Sequence, residues 1–334
     1  AQLYGETDIE LNPGNGGRSF NNHFSTRSLN NDGTWKDLMK QKNSSADISP
    51  TAGQMARWVG LGYASKLFRN IEGLHEFKTL SDKGNEVAFG TIGDASTSEG
   101  QFWEAINAVG VLQVPAAIAV WDDGYGISVP KKFQTTKGSI SEVLKGFERT
   151  KDKPGIVILN GKGWDYPGLI KLFKEGIEIA RKEHVPVVFH IDEITQPQGH
   201  STSGSHERYK PEERLKWEEE FDGINKMKDW ILNEKIGTEK ELERIENEAI
   251  SEAKAAKKDA WKKFKDPVKT ERDKLIEIID NRSCVCKREG IDKVGKYTEE
   301  LKKIMSPIRK DIFSTAKKIL RHVCLDCNIR EKLQ

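Results

Sequence analysis

The stretch that most constrains the fold runs from Glu86 to Pro130 and reads as strand, turn, helix, strand and loop. Glu86–Ile92 is rich in small and β-branched apolar residues and closes at Gly93, the composition of a buried strand. Asp94 follows on the turn, and Ala95-Ser96-Thr97-Ser98-Glu99-Gly100 offers hydroxyl side chains suited to capping the next helix. Phe102, Trp103, Ile106 and Val109 give that helix an apolar face, which Pro115 ends. Ala116–Trp121 is a second apolar run, closed by the loop Asp122-Asp123-Gly124-Tyr125. A strand–helix–strand of this length is a βαβ unit, so its strands should be parallel neighbours. Their carboxyl ends then share one edge, where open α/β sheets bind ligands.

This geometry brings Asp94 and Asp123, 29 positions apart, to one rim beside a helix N-terminus and a glycine-containing loop. Two carboxylates there suit a hard cation such as Mg²⁺ bridging to a diphosphate; each could equally cap the loop after its own strand. The run resembles the thiamin diphosphate signature, GDG followed further along by NN, of the α subunits of 2-oxoacid dehydrogenase first components. Gly93-Asp94-Ala95 stands for GDG and Asp122-Asp123 for NN. The resemblance implies Mg²⁺ ligation by Asp94, Asp123 and the backbone carbonyl of Tyr125. It departs from the pattern at Ala95, which crowds the approach of a diphosphate, and at Asp123, whose charge favours a cation.

Other segments extend the likeness. Residues 11–35 form a glycine-rich, aperiodic loop in which His23 matches a family histidine on the substrate side of the pocket. Ile48-Ser49-Pro50 resembles the element that holds the aminopyrimidine half of the cofactor, and Ser49 is also a natural cap for a helix predicted over Gln54–Arg69. That helix carries Trp58, Leu61 and Ala64 at helical spacing. Further along, Ile156–Leu159 and Val185–Ile191 read as buried strands around a helix opened by Asp165. The polar loop Gln196–Tyr209, with its core Gly199-His200-Ser201-Thr202-Ser203, resembles the family's flexible active-site loop. The resemblance makes His200 a ligand of the cofactor phosphate and a participant in catalysis, and makes Ser201 a candidate for regulatory phosphorylation. Taken together, it implies cofactor contacts from Ser49, Gly93, Asp94, Ala95, Ser96, Asp123, Tyr125, Ile127 and His200, with His200 and His23 catalytic. Relatives carry Arg where Gln196 stands, and some carry Arg where Trp121 stands.

Composition bounds the rest. The chain has 334 residues, with 54 Lys and Arg against 52 Asp and Glu, so no global field points to nucleic acid or a membrane surface. No apolar run is long enough to span a bilayer, and no secretory signal pattern is present. All four cysteines lie beyond residue 283, which argues for a reducing, cytoplasmic compartment. Cys284-x-Cys286 and Cys324-x-x-Cys327 fit free or buried thiols better than a zinc site. The chain begins at Ala1 without Met, and an N-terminal part is expected to be missing.

The expected architecture is an α/β thiamin diphosphate-binding fold, a mostly parallel sheet with helices on both faces, with a helical extension. Its divisions are a cofactor-binding domain over 1–210, a helical extension over 211–265 and a charged linker over 266–334 leading towards a β-type half. A break is expected at Asp266-Pro267, and Leu215, Phe221, Ile224, Met227, Trp230 and Ile231 form a candidate buried stripe. The charged residues of this region read as solvated surface. The resemblance implies oxidative decarboxylation of a 2-oxoacid, with acyl transfer to a lipoyl-bearing acyltransferase component. It also implies an oligomer completed by a β-type half, which supplies the Glu that activates the cofactor. Gly199–Ser203 and Gly124–Ser128 resemble branched-chain enzymes more closely than pyruvate ones, which implies a branched-chain 2-oxoacid. Pyruvate, acetoin or transketolase-like enzymes, or a non-catalytic interaction subunit, are the alternatives.

Overall fold

The computed structural model describes residues 25–41, 43–45, 48, 50–196, 206–283 and 290–334. The chain divides into two compact units, Ala1–Leu242 and Glu243–Gln334. His23, Ser49, His200, Ser201, Cys284 and Cys286 lie outside the described residues.

The first unit is built on four parallel strands: β1 (Ala88–Gly93), β2 (Ala116–Trp121), β5 (Val157–Lys162) and β6 (Val187–Asp192), in the order β1-β2-β6-β5. Helix α1 (Met55–Asn70) precedes the sheet, and α2 (Gly100–Leu112), α3 (Ile140–Leu144) and a hairpin of β3 (Tyr125–Gly126) and β4 (Val129–Pro130) come from the intervening chain. So does α4 (Tyr166–Glu183), while α5 (Glu212–Glu220) and α6 (Gly223–Asn233) follow the sheet. The two-residue period of the strands sorts their side chains onto two cores. Ile118, Val120 and Val188 pack with Trp58, Phe102, Ile106, Val109 and Leu144 from α1, α2 and α3. Ala117, Ala119, Val187, Phe189 and Ile191 pack with Leu169, Leu172, Phe173 and Ala180 from α4. Both faces are covered, which is why β2 and β6 are apolar almost throughout.

Helix α4 begins at Asp165, whose carboxylate accepts from the Gly168 N–H at 3.0 Å. Helix α1 does not bury the stripe its periodicity suggested. Leu61 is half exposed, and the buried residues are Met55, Trp58, Gly62 and Ser65. A Cβ on Gly62 would lie 3.1 Å from Val114 and 3.3 Å from Ala116, so the helix approaches β2 through its smallest residue. The Trp58 indole donates to the carbonyls of Ala88 and Ala117, 3.0 and 3.1 Å away, tying the helix to two adjacent strands. Ile224 on α6 is likewise exposed, since Asp222 starts that helix by accepting from the N–H groups of Ile224 and Asn225 and leaves the first turn at the surface.

Helix α7 (Glu239–Asp280) spans the boundary between the units. It runs through Pro267 without ending there, contrary to the expectation from sequence. The missing N–H and the ring clash of an internal proline cost about 3 kcal/mol. Burial of Leu275 and Ile279 farther along the same helix, in the core of the second unit, offsets that cost. That core also takes Val294 and Leu301 of α8 (Lys293–Lys303), Ile312 and Ile319 of α9 (Arg309–Leu320), and Leu333 of α10 (Arg330–Leu333). Cys327 is buried among them. Among the described residues no helix is long and apolar enough to cross a membrane.

Helix α4 comes close to the sheet at Gly176, where an added Cβ would lie 2.4 Å from two atoms of the fully buried Phe189 ring. Alanine ordinarily favours a helix over glycine by about 1 kcal/mol. Here we expect Gly176→Ala to lower stability by about 1–3 kcal/mol in urea unfolding, because overpacking outweighs propensity.

Candidate active site

Parallel pairing sets Gly93 opposite Trp121 at the last register position of β1 and β2. The residues that leave the two strands therefore emerge side by side. The Asp94 N–H donates to the Trp121 carbonyl at 3.0 Å, and the Asp122 N–H to the Ile191 carbonyl of β6 at 2.8 Å. An open cleft of about 860 Å³ lies at this edge. Its lining brings together Gly93, Asp94, Ala95, Ser96, Asp123, Tyr125 and Ile127 from the residues singled out by sequence. Trp121 and Gln196 line it as well.

Asp94 is only 5% exposed, and its Oδ2 has no hydrogen-bond partner among the described residues. Burial, reinforced by the charges of Asp122 and Asp123, pushes its pKa up to about 7. The next residues do not cap α2 as expected. Ala95–Ser98 forms a 3₁₀ turn, Thr97 Oγ1 donates to the Asp94 carbonyl at 2.6 Å, and α2 starts after Glu99 without a side-chain cap. Thr97 thus fixes the Asp94 backbone rather than the helix end.

The two aspartates after β2 take different parts. Asp122 is buried and turned away from the cleft, held by Lys131 Nζ at 2.7 Å, His190 Nε2 at 2.9 Å and the Gly124 N–H at 2.9 Å. A carboxylate can only accept, so His190 Nε2 carries the hydrogen, and its Nδ1 lies 2.9 Å from Ser141 Oγ. Burial raises the Asp122 pKa, but the hydrogen bonds from His190 and Lys131 outweigh it and hold the carboxyl below its ordinary value. Asp123 faces the cleft, and burial raises its pKa although Lys210 and Arg214 pull against it. Its Oδ1 accepts from the Tyr125 N–H at 3.1 Å, which shapes the loop into the β3–β4 hairpin.

Part of the charged region that begins at Pro211 is buried, contrary to its reading as solvated surface. Lys210 Nζ pairs with both oxygens of Glu218, at 2.7 and 2.9 Å, and both side chains are almost wholly buried. Arg214 donates to Glu218 at 2.8 Å and to the carbonyl of Asp123, also at 2.8 Å. Lys210 and Arg214 also lie over the Tyr125 ring, 5.3 and 5.9 Å from its centre. This cluster braces the loop that carries Asp123 and Tyr125. Sequence reasoning missed it, together with Lys131, Ser141 and His190. The available signals were a histidine inside an apolar strand and the four-residue spacing of Lys210, Arg214 and Glu218.

Two details bear on what the cleft accepts. Among its described lining residues are two carboxylates and no Lys or Arg. An anionic ligand would be repelled unless a cation came between, and the unpartnered oxygen of Asp94 is suited to such a cation. The Ala95 methyl finds its space opposite Gly126, where a Cβ would come within 2.8 Å of it. Ile127, at the hairpin tip, has φ +60°, a left-handed conformation that costs a β-branched residue about 1–2 kcal/mol. Strain of this kind collects at ligand sites.

A family model described as "Dehydrogenase E1 component" matches residues 21–269. The chain is 31% identical over 176 residues to the pyruvate dehydrogenase E1 component subunit alpha of Acholeplasma laidlawii, covering 51% of this chain and 47% of that protein. It is 26% identical over 222 residues to the mitochondrial 2-oxoisovalerate dehydrogenase subunit alpha 1 of Arabidopsis thaliana, covering 66% and 42%. A Staphylococcus aureus pyruvate dehydrogenase E1 component subunit alpha is 28% identical over 200 residues, covering 58% and 50%. The chain thus spans about half the length of the curated relatives it matches.

The raised pKa of Asp94 has a defined consequence for the metal-free chain. A group at about 7 when folded and near 3.8 when unfolded supports stability fully below pH 3.8. That support falls between 3.8 and 7 and is gone above pH 7. Asp94→Asn should therefore unfold at higher urea than the parent at pH 8, by about 1–3 kcal/mol, and the gap should close towards pH 5. Denaturation curves at the two pH values check this.

Proposed function

The chain belongs to the dehydrogenase E1 component family, and from that premise we propose that it supplies the metal–diphosphate half of a thiamin diphosphate site in a 2-oxoacid dehydrogenase. The observation that carries this reading is the buried, unpartnered Asp94 Oδ2 in a cleft whose described lining has no basic side chain. Asp94, Asp123 and the backbone carbonyl of Tyr125 would hold Mg²⁺, whose charge would neutralise that of a bound diphosphate. The departure from the family's second Asn to Asp123 fits this arrangement, because a second carboxylate offsets the missing arginines by binding the cation more strongly.

Each residue then has a task. Asp122, anchored by Lys131 and His190, holds the loop so that Asp123 stays at the rim. Lys210, Arg214 and Glu218 brace the same loop from behind. Ile127 presents an apolar side chain to the cleft at the tip of a strained turn, and Ser96 and Gly93 leave room for a diphosphate at its floor. Ser49 contacts the cofactor, His200 binds its phosphate and moves a proton, and His23 faces the substrate. When bound, thiamin diphosphate supplies the electron sink that lets a 2-oxoacid lose CO₂.

The substrate is a 2-oxoacid, with a branched-chain acid favoured by Gly199–Ser203 and Gly124–Ser128. Pyruvate is the second reading, favoured by the names of the Acholeplasma and Staphylococcus relatives. A β-type half contributes the glutamate that activates the cofactor, and a lipoyl-bearing acyltransferase component accepts the acyl group. The domain limits 1–210, 211–265 and 266–334 belong to the same proposal.

Calorimetric titration of thiamin diphosphate is the direct test. Binding should require Mg²⁺, vanish with EDTA and weaken at least about 100-fold in Asp94→Ala. Binding that is indifferent to EDTA would refute the metal-bridged reading. With a β-type half added, turnover of 3-methyl-2-oxobutanoate against pyruvate decides the substrate, and the isolated chain should turn over neither appreciably.

A further inference from the structure

Helix α7 carries a face that the first unit's chemistry does not use. Every residue from Glu243 to Asp259 is exposed. The helix nonetheless has an apolar stripe, and Ile245, Ile250, Trp261 and Phe264 on it are each about half exposed. At 100° per residue, Leu242, Ala249, Ala253, Ala260 and Phe264 lie within about 40° of one line along the helix, with Ile245, Ile250, Ala256 and Trp261 on its flanks. Trp261 and Phe264 stack at 5.6 Å between ring centres and form an apolar knob at one end. Along this exposed stretch the i,i+4 pairs Arg244–Glu248 and Lys263–Asp259 lend support.

The charges on the same helix are sorted by position. Glu239–Glu252 holds six glutamates against Lys240 and Arg244, a net of −4. Ala253–Asp266 holds six lysines against Asp259 and Asp266, a net of +4. A helix whose two halves carry equal and opposite charge about Ala253 is complementary to its own reverse. Its stripe has the same symmetry, with bulky residues at both ends and alanines in the middle.

We propose that α7 is a self-docking surface on which a second copy of this chain packs antiparallel, about a two-fold axis at Ala253. In that arrangement Leu242 lies level with Phe264 of the second copy and Ile245 with Trp261, the alanines between them fill the middle, and Ala253 meets itself. The central alanines let the backbones approach closely. Glu241 and Glu243 come alongside Lys263 and Lys265, while a parallel pair would set like charges together. The two-fold makes the contact isologous, so it closes at a dimer.

Sedimentation equilibrium of the full 334-residue chain at low salt should return a monomer–dimer equilibrium that weakens as salt is raised. Ala253→Glu faces two like charges across the axis and should raise the dimer dissociation constant about 100-fold or more. Lys263→Glu with Lys265→Glu should weaken the dimer, and adding Glu241→Lys with Glu243→Lys in the same chain should restore it. Circular dichroism should show unchanged helix content in each variant, which separates loss of docking from loss of fold. A chain that stays monomeric throughout, or a dimer that Ala253→Glu leaves as tight, overturns the proposal.

Discussion

The parallel pairing of β1 with β2 is the constraint from which the site follows. Its register ends with Gly93 beside Trp121, so the strand exits release Asp94 and the Asp122–Asp123 pair at one edge. A shift of one residue would turn Asp94 into a different neighbourhood and expose the apolar residues of β1 and β2 on the wrong faces. Both cores therefore enforce the register, since Ile118 and Val120 on one side and Ala117 and Ala119 on the other each have a helix layer to fill. Stability of the sheet and placement of the carboxylates are the same physical fact.

On that frame the site stores unfavourable electrostatics. Three aspartates gather where little solvent reaches, and the protein compensates only one of them fully. Asp122 receives Lys131, His190 and a backbone N–H, and stays ionised. Asp94 receives none of these at Oδ2 and is driven towards protonation. A buried acceptor left open in this way is costly unless a cation fills it. The spread between two carboxyls so near in space separates a structural aspartate from one available to a ligand.

The second layer of support comes from beyond the sheet. Lys210, Arg214 and Glu218 form a buried ionic cluster whose outer hydrogen bond ends on the carbonyl of Asp123. Buried ion pairs add little net stability, because desolvation consumes most of their attraction. Their directional demands suit them to hold a loop in one conformation. The strained φ of Ile127 persists because this cluster, the Asp123–Tyr125 turn and the β3–β4 pairing all specify the same backbone path.

The βαβ unit, the two-faced sheet and the rim shared by Asp94 and Asp123 were legible in the sequence, because hydrophobic periodicity and chain length suffice to imply parallel neighbours. Local signals were also enough for Asp165 as a helix cap. Other features depended on contacts between residues far apart in the chain, which no local pattern encodes. These include the order β1-β2-β6-β5, the approach of α1 through Gly62 in place of Leu61, and the passage of α7 through Pro267. The division of labour between Asp122 and Asp123 is of the same kind. Adjacent and chemically identical in sequence, they differ because His190, 68 residues away, and Lys131 reach one of them and the cleft opens before the other. Sequence determined which chemistry gathers at this edge, and tertiary structure decided which carboxylate is satisfied and which is left free, because burial and partnering are properties of the packed chain.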